Sequence, residues 1–326
     1  MYDVITVGSS TIDVFAKTQS ELIKIMTATS EEDLIAYPSG SKILITKLDF
    51  MVGGGGTNTA VSLSRLGHKV AYLGKLGNDI NADKITRVLK KEKIRFIGVK
   101  GKEKSGFSVI LDSIEDDRTI LTYKGANNNL KFSEIDKKNL KAKWFYFASM
   151  VSHSFEALKQ IAKYAEENNI KIVFNPSNYQ AEKGTSALKE ILRRTEILIL
   201  NDEEAALLVG KGSVNEMLKK LRLHSPNIVI ITQGKKGASA YDGKSIYFVK
   251  PPKTKIAETT GAGDAFASSF LSGIIKKNDI EFALKLAIVN SLSVIQNTGA
   301  KNILLTYKDA LKAMRKYRIK IIRKKF

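Results

Sequence analysis

The sequence predicts an α/β protein: a three-layer α/β/α sandwich with a mostly parallel central sheet and a small β lid. Short apolar, β-branched runs alternate along the chain with stretches of helical periodicity, which is typical of strand–helix–strand units. The strand runs are apolar at nearly every position, as strands covered on both faces are. No Pro-, Gly- or Ser-rich linker divides the 326 residues, so we expect a single domain over 1–326.

The elements of the sandwich follow one another in chain order. The predicted strands are Val4–Val7, Val70–Leu73, Trp144–Phe147, Lys171–Phe174, Ile197–Leu200 and Ile228–Ile231, and the predicted helices are 80–92, 154–168, 202–209 and 213–222. The last third, 264–317, is mainly helical. There Phe266, Phe270 and Ile274 repeat every four residues beside a second apolar row, which indicates a helix buried in the body.

Two stretches, about 14–50 and 95–125, break this alternation and form the predicted lid. They contain short alternating runs, and the clearest pair is 107–111 and 119–123, separated by the polar turn 115–117. This pattern predicts a half-buried β-hairpin. Exposed lid edges also invite pairing with a second copy, so we expect that a homodimer could form through lid strands.

Composition excludes several classes of site. The chain has no cysteine, so a disulfide framework, a thiolate zinc site and a cysteine nucleophile are all excluded, and its three histidines are widely spaced. The formal net charge of +20 fits nucleic-acid binding, attraction of an anionic substrate, or lysine-rich solvated faces; we favour the last, because the lysines are dispersed. With neither a signal-peptide pattern nor a run of about 20 apolar residues, we expect a cytoplasmic protein without a membrane partner.

The segment that carries chemistry is Glu258-Thr259-Thr260-Gly261-Ala262-Gly263-Asp264. Its glycines allow close approach of a ligand, and the apolar helix that follows leaves backbone N–H groups free to hold an anion. A carboxylate beside such an anion hole suits phosphoryl transfer to a hydroxyl, with Asp264 as the base and the 261–263 backbone opposing the developing charge. The alternative for Asp264 alone is a helix cap or dipole partner.

Three familiar nucleotide-binding patterns are missing. The chain has no Gly-x-x-x-x-Gly-Lys-[Ser/Thr], which excludes a P-loop enzyme, and no His-Arg-Asp or Asp-Phe-Gly, which excludes a protein kinase. The pair Gly261 and Gly263 lacks the third glycine of a dinucleotide-binding fingerprint.

Further motifs occur in a fixed order along the chain. They are Gly8-Ser9-Ser10-Thr11-Ile12-Asp13, Gly53-Gly54-Gly55-Gly56-Thr57-Asn58 with Arg65-Leu66-Gly67, Gly74-Lys75-Leu76-Gly77-Asn78-Asp79, Asn201-Asp202-Glu203-Glu204, Thr232-Gln233-Gly234-Lys235-Lys236-Gly237 and Thr259–Phe266. In these motifs, which cover about residues 3–300, the chain resembles the ribokinase-like (phosphofructokinase-B type) carbohydrate and nucleoside kinases.

The resemblance implies an ATP-dependent kinase that uses Mg²⁺ and has a ribokinase-like fold. It implies that Asp264 is the catalytic base and that Gly261, Ala262 and Gly263 form the anion hole. It assigns substrate binding to Asp13, Gly53, Gly54 and Asn58. It assigns the nucleotide and its metal to Asn201, Glu204, Thr232, Gly234, Gly237 and Asn290, with Glu204 reaching Mg²⁺ through water.

Structural alternatives stand beside these roles. Asp13 could bond its own turn, the glycines at 53–56 could be a lid hinge, and Asn201 with Glu204 could form a capping box. The chain also departs from the family pattern. Glu258 stands where Asp is usual, which leaves dependence on a monovalent cation open. The segment Asn175–Tyr179 lacks the Asp and Arg of the family's Asp-Pro-Asn-x-Arg, and no acidic sugar contact lies near 148–150.

The acceptor is a small molecule whose class the sequence leaves open. We favour a sugar or sugar-like polyol. A nucleoside would need a slot for its base, for which Phe50, Phe107 and Tyr123 are candidates. A sugar phosphate would need a cation, for which Arg118 and Lys124 are candidates. The rival hypotheses from other classes are a non-catalytic ligand-binding protein and a nucleic-acid-binding protein.

Overall fold

The structure is a computed structural model. It describes residues 1–18, 21–26, 31–112, 118–254, 259–296, 301 and 303–325, and at 21–26, 31–35, 112 and 118 it describes the backbone alone. Within these ranges, no helix is both long and apolar enough to cross a membrane.

The chain alternates strands and helices as the periodicity predicts. The strands are β1 Tyr2–Val7, β2 Thr11–Thr18, β3 Glu21–Met26, β4 Glu31–Ala36, β5 Ile45–Gly53, β6 Val70–Leu73, β7 Lys75–Leu76, β8 Arg95–Phe96, β9 Val99–Lys100, β10 Gly106–Asp112, β11 Arg118–Tyr123, β12 Ala142–Phe147, β13 Lys171–Phe174, β14 Thr195–Asn201, β15 Ile228–Thr232, β16 Ala238–Tyr241, β17 Ser245–Val249 and β18 Ile321–Lys325. The helices are α1 Gly55–Arg65, α2 Ile80–Lys91, α3 His153–Glu167, α4 Asn178–Ala181, α5 Gly184–Leu192, α6 Asp202–Val209, α7 Val214–Arg222, α8 Ala262–Lys277, α9 Ile280–Ile295 and α10 Tyr307–Tyr317.

A large sheet forms the centre of the molecule. Its strand order is β18-β17-β16-β15-β14-β13-β12-β1-β6-β8. The strands from β15 to β8 run parallel, and β16, β17 and β18 add an antiparallel edge. The predicted strands all lie in this sheet, so the predicted α/β class with a mostly parallel sheet is confirmed.

Helices cover both faces of the large sheet because strand side chains alternate between two apolar cores. Tyr146 belongs to the core on one face, which contains side chains of α1, α2, α8, α9 and α10. Its neighbours Phe145 and Phe147 belong to the core on the other face, which contains side chains of α3 to α7. All three aromatic side chains are fully buried, and each contributes about 1.5–3 kcal/mol of hydrophobic stabilisation. This gives the predicted three-layer arrangement.

A smaller sheet, with the order β11-β10-β2-β5, contains the predicted hairpin of β10 and β11. Its strands come from the stretches that interrupt the βα alternation, although β2 already begins at Thr11, and β8 of the second stretch belongs to the large sheet. The turn at 115–117 lies outside the described residues. The register places Asp13 of β2, Ser108 of β10 and Thr122 of β11 in one row across the sheet, and side chains in such a row share a face.

Candidate active site

A cleft of about 330 Å³ opens at the carboxyl ends of the parallel strands. This edge is where open α/β sheets bind ligands. Residues that follow or end five of these strands line the cleft, together with the starts of α1 and α8: Ser9, Gly55, Ala148, Ser149, Asn175, Asn201, Glu204, Thr232, Gly261, Gly263 and Asp264. The structure therefore brings six of the predicted site residues into one cleft: Gly261, Gly263, Asp264, Asn201, Glu204 and Thr232.

Helix α8 starts abruptly because Gly261 adopts a left-handed conformation, with φ 80° and ψ −1°. Residues with a Cβ rarely adopt that conformation, which explains the glycine. The hydrogen bonds of the helix begin with the one from the Ala265 N–H to the Gly261 carbonyl at 2.9 Å. The N–H groups before Ala265 therefore take no part in this helical series. Of the three predicted anion-hole residues, Ala262 has its N–H bonded to the Thr259 carbonyl at 3.2 Å.

Asp264 lies in the first turn of α8 with its carboxylate beside α1. Its Oδ2 accepts a hydrogen bond of 2.7 Å from Asn58 Nδ2, which ties the two predicted residues together. The side chain amide oxygen of Asn58 is buried and has no hydrogen-bond partner in the described part of the chain. A hydroxyl donor is the kind of group that this oxygen could accept.

Burial raises the pKa of Asp264 above its usual value, and the negative charge of Asp13 raises it further. The hydrogen bond from Asn58 and the charge of Lys301 act in the opposite direction. The net direction is upward. A carboxylate with a raised pKa is a stronger proton acceptor, which suits a general base.

Asp13 is buried on β2, and its carboxylate accepts a hydrogen bond of 2.7 Å from the Thr11 hydroxyl. The glycine run packs directly against this region. A Cβ at Gly53 would overlap the Asp13 carboxylate, and a Cβ at Gly54 (φ 91°) would come within 2.6 Å of the Ser9 and Ser10 backbone. Gly53 and Gly54 are therefore required by packing on their own chain, a reason separate from the predicted contact with substrate.

Lys301 also lies at the site, although no motif in the sequence marks it as a site residue. The side chain is buried, and its Nζ donates to the Val52 carbonyl at 2.6 Å and to the Thr57 hydroxyl at 2.9 Å. Burial lowers the pKa of Lys301 to about 7, while the charges of Asp13 and Asp264 act to raise it. Lys301 thus links the end of β5 to the start of α1, and its charge acts on both the Asp13 and Asp264 carboxylates.

Asn201 and Glu204 form the capping box that the sequence offered as an alternative. Asn201 ends β14 and caps α6: its Oδ1 accepts from the Glu204 N–H at 2.7 Å, and Glu204 Oε2 accepts from the Asn201 N–H at 2.9 Å. Glu204 is nevertheless buried beside the cleft, and this burial raises its pKa to about 7. A cap that lines the cleft leaves a metal role open.

The remaining residues that were predicted to bind the nucleotide divide into two groups. Thr232 ends β15 and lines the cleft, and Gly234 and Gly237 form the tight turn after it, closed by the bond from Gln233 N–H to the Gly237 carbonyl at 2.8 Å. Asn290 is different, because it is fully buried in α9 and its amide bonds Ser62, Ser269 and the Leu305 N–H. The predicted contact of Asn290 with adenine is not supported, since its polar atoms already link α1, α8 and α9.

The residues present fit a magnesium ion held mainly by phosphates and water. Among the described residues, no group of three or more acidic or histidine side chains could hold a metal ion. Mg²⁺ in nucleotide sites is usually bound by one or two carboxylates plus phosphate oxygens. Glu204 provides one carboxylate at the cleft, and a nearby cation would favour its ionised form.

Two predictions fall on residues that the structure does not describe. Glu258, on which the question of a monovalent cation depends, lies outside the described residues, and so does the side chain of Arg118.

The candidate slot for a nucleobase is not formed over Asp13. Phe107 pairs with Ile12 and with Tyr123, and Phe50 pairs with Val14. Because alternate residues of a strand point to opposite faces, the three aromatic side chains lie on the face of the small sheet opposite to Asp13.

Comparison with solved structures identifies the class to which this fold belongs. The crystal structure of a nucleoside kinase from Methanocaldococcus jannaschii, described as an archaeal member of the ribokinase family, superposes with a TM-score of 0.78 over 96% of this chain and 98% of that one, at 22% identity. The fold is therefore ribokinase-like.

Sequence comparison identifies the family. The chain is 31% identical over 265 residues to a 5-dehydro-2-deoxygluconokinase from Clostridium perfringens, covering 75% of this chain and 78% of that one. It is 28% identical over 253 residues to a ribokinase from Lactococcus lactis, covering 76% and 81%. The sequence profile of the pfkB family carbohydrate kinases matches residues 3–306. The chain belongs to this family and is a phosphotransferase that acts on an alcohol group.

Proposed function

We propose that this protein transfers the γ-phosphoryl group of ATP to a hydroxyl group of a small sugar or sugar-like polyol. The observation that carries the proposal is the pairing of Asp264 with Asn58 at the start of α8, where a carboxylate with a raised pKa lies in the cleft next to the glycine-led helix start. This is the combination that phosphoryl transfer to an alcohol needs.

In the proposed mechanism, Asp13 and Asn58 accept hydrogen bonds from acceptor hydroxyls and thereby orient one oxygen toward Asp264. As this oxygen forms its bond to the γ-phosphorus, its proton passes to the Asp264 carboxylate, and the bond between the γ-phosphorus and the bridging oxygen breaks to release ADP. The backbone amides of Gly261 and Gly263, which line the cleft, oppose the charge on the phosphoryl oxygens, whereas the Ala262 N–H is bonded to the Thr259 carbonyl. Asn58 holds the carboxylate in position through its 2.7 Å hydrogen bond.

Thr232 and the turn that contains Gly234 and Gly237 would bind the nucleotide. Glu204 would hold Mg²⁺ through water, and the ion would supply charge neutralisation of the phosphates. The small sheet would act as a lid within the single domain: it carries Asp13, and closing it over the strand ends would exclude water from the cleft.

A sugar or polyol is favoured over a nucleoside because Phe50, Phe107 and Tyr123 lie on the face of the small sheet that is turned away from Asp13. A base bound beside Asp13 would therefore lack these rings as stacking partners.

The test of this proposal is Asp264→Asn in an ADP-release assay with a panel of sugars, polyols, their charged derivatives and nucleosides. We expect kcat to fall by at least roughly 10²-fold, the scale of a general base. Asp309→Asn is the matched control, since Asp309 is also the third residue of its helix but bonds Thr306 at the surface. Near-normal turnover by Asp264→Asn would defeat the assignment of the base.

A further inference from the structure

Part of the positive charge of the chain is concentrated in one segment. The lysines as a whole are dispersed, but residues 307–326 contain nine Lys or Arg residues and a single Asp. The formal charge of this segment, +8, is two-fifths of the net +20 and is carried by 20 of the 326 residues. The segment forms the helix α10 and β18, which is an edge strand of the large sheet.

Helix α10 separates its apolar residues from its basic ones. The residues that pack against the core shared with α8 and α9 are Tyr307, Ala310, Ala313, Met314 and Tyr317. On the other side, Lys308, Lys312 and Arg315 follow one another at intervals of four and three residues, so they lie on one face of the helix. All three are exposed, and they span about 10 Å along the helix axis.

Strand β18 extends this charge along the edge of the large sheet. Ile321 packs against the same core as α10, and residues two apart on a strand share a face, so Arg323 and Lys325 lie on the same side of the sheet as α10. The Arg323 guanidinium lies 5.2 Å from the centre of the Tyr247 ring, and its Nε donates to the Ser245 hydroxyl at 3.3 Å. An exposed arginine is therefore held in place at the sheet edge.

The helix and the strand form one continuous basic surface. Only residues 318–320 separate α10 from β18, and two of these three, Arg318 and Lys320, are exposed and basic. We define the basic surface as the exposed Lys and Arg residues of 307–325: Lys308, Lys312, Arg315, Lys316, Arg318, Lys320, Arg323, Lys324 and Lys325.

Little of the charge on the basic surface is neutralised within the chain. Among the residues that the structure describes, the one ion pair of the segment joins Lys312 to Asp309 at 3.6 Å, and these side chains are 66% and 50% exposed. An exposed pair of this kind adds little stability. Because the remaining like charges repel one another, a polyanion that binds here relieves that repulsion.

Two features distinguish among the polyanions that could bind. The apolar residues of α10 face the core, so this helix does not present an apolar side to a membrane. Binding of single-stranded nucleic acid relies on aromatic rings on which bases stack, but Tyr307 and Tyr317 pack against the core. A set of cations without apolar or stacking groups suits the regularly spaced phosphates of a duplex.

We infer that the basic surface binds the phosphate backbone of a nucleic-acid duplex, DNA or RNA, without reading its sequence. This is a second binding function, separate from the proposed kinase reaction, because none of the residues of the basic surface lines the cleft. Each phosphate that a Lys or Arg neutralises releases counterions, so the logarithm of the binding constant falls by about 0.9 per contact for each tenfold rise in salt concentration.

The experiment measures fluorescence anisotropy of labelled DNA and RNA duplexes of one sequence, titrated with the full chain between about 50 and 200 mM salt. For wild type we expect a Kd of about 10⁻⁶ to 10⁻⁴ M at physiological salt and a salt slope of about −4 or steeper. The triple variant Lys308→Gln, Lys312→Gln and Arg315→Gln should bind at least roughly 10-fold more weakly at the lowest salt. Its slope should be shallower by up to about 2.7, which corresponds to three lost contacts.

The matched control is the triple variant Arg87→Gln, Lys90→Gln and Lys91→Gln in α2. It also removes one arginine and two lysines that are exposed on a helix, so the net charge of the two variants is equal. This control should retain the wild-type affinity and slope, and circular dichroism checks that both variants fold. Absence of wild-type binding at the lowest salt, or equal weakening by both variants, would overturn the inference.

Further ligands test the choice of partner. Binding of either duplex supports the inference, and the ratio of the two affinities distinguishes DNA from RNA. A second duplex of unrelated sequence should bind equally, and a preference of roughly 10-fold or more would refute sequence-independent binding. Single-stranded DNA, and vesicles of phosphatidylcholine and phosphatidylserine, should bind more weakly than the duplexes. Tighter binding to either of them would refute the assignment of the basic surface to a duplex.

Discussion

Replacing Glu204 with glutamine isolates the effect of one buried charge at the cleft. Glu204 closes a capping box at the start of α6, in which its Oε2 accepts from the Asn201 N–H at 2.9 Å. Glutamine retains an oxygen that can accept the same bond, so the helix cap is preserved. The substitution therefore removes the ionisable group and leaves the local packing unchanged.

The magnitude follows from the pKa of Glu204, which burial raises from 4.5 to about 7. One pKa unit corresponds to about 1.4 kcal/mol, so ionising Glu204 in the folded chain costs about 3 kcal/mol more than in the unfolded chain. Between these two pKa values the folded chain holds a proton that the unfolded chain has lost. The stability that protonated Glu204 contributes is therefore present below pH 4.5 and is lost as the pH rises through 7. Glu204→Gln should be more stable than wild type by up to about 3 kcal/mol at pH 8, but by less than about 1 kcal/mol at pH 5.

Urea denaturation followed by circular dichroism at pH 5 and pH 8, without nucleotide and with a chelator, measures this difference. Glu203→Gln is the matched control, because Glu203 is exposed in the same helical turn. Removing the Glu203 charge should lower the free energy of unfolding by only about 0.3–1 kcal/mol at both pH values, the contribution of a charge to the helix dipole. If Glu204→Gln is no more stable than wild type at pH 8, the reasoning about burial is refuted. In the kinase assay, the same variant should need a higher Mg²⁺ concentration.

Three further predictions concern the glycine run, the buried lysine and the edge of the small sheet. Gly53→Ala should raise the KM for the acceptor and destabilise the fold by about 1–3 kcal/mol, because the added methyl overlaps the Asp13 carboxylate; an unchanged KM and unchanged urea midpoint would contradict this. Lys301→Met should move the acid limb of the pH profile of kcat/KM to higher pH, since Lys301 lowers the pKa of the proposed base; an unshifted limb would show that its charge is not felt there. Leu121 is 57% exposed on the edge strand β11, so Leu121→Lys should convert a dimer formed through this edge to a monomer in sedimentation velocity, and a wild-type monomer would remove the dimer proposal.

The parts of the fold that could be predicted from the sequence are those whose environment is uniform. Strands such as Phe145 to Phe147 and Ile197 to Leu200 are covered on both faces, so burial demands an unbroken apolar run. The buried helix α8 is equally visible, because apolar residues face both the sheet and α9. The antiparallel edge is less visible. Strand β18 reads Ile-Ile-Arg-Lys-Lys and resembles a solvated charge run, but it pairs with β17, and such long-range pairing leaves no local pattern.

The candidate site divides in the same way. Gly261 and Asp264 are visible in the sequence because a left-handed helix start and a first-turn carboxylate have a fixed spacing. Lys301 could not be found, since nothing in its neighbourhood distinguishes a buried lysine from the many exposed ones. Asn290 shows the opposite limit. Its position along the chain suggested a nucleotide contact, but a polar residue inside an apolar helix can equally serve an internal network, and the two are separable only in three dimensions.

The separation of the site residues between the small sheet and the body has a consequence for how acceptor specificity can change. Asp264 and Glu204 lie on helices of the body, whereas Asp13 lies on β2 of the small sheet. On the proposed function, in which Asp13 binds the acceptor, substitutions on its face of β2, β10 and β11 would change the acceptor without altering Asp264 or Glu204. In such an architecture, a few substitutions on one face of the small sheet would suffice for a new acceptor, and the residues proposed for phosphoryl transfer would stay the same.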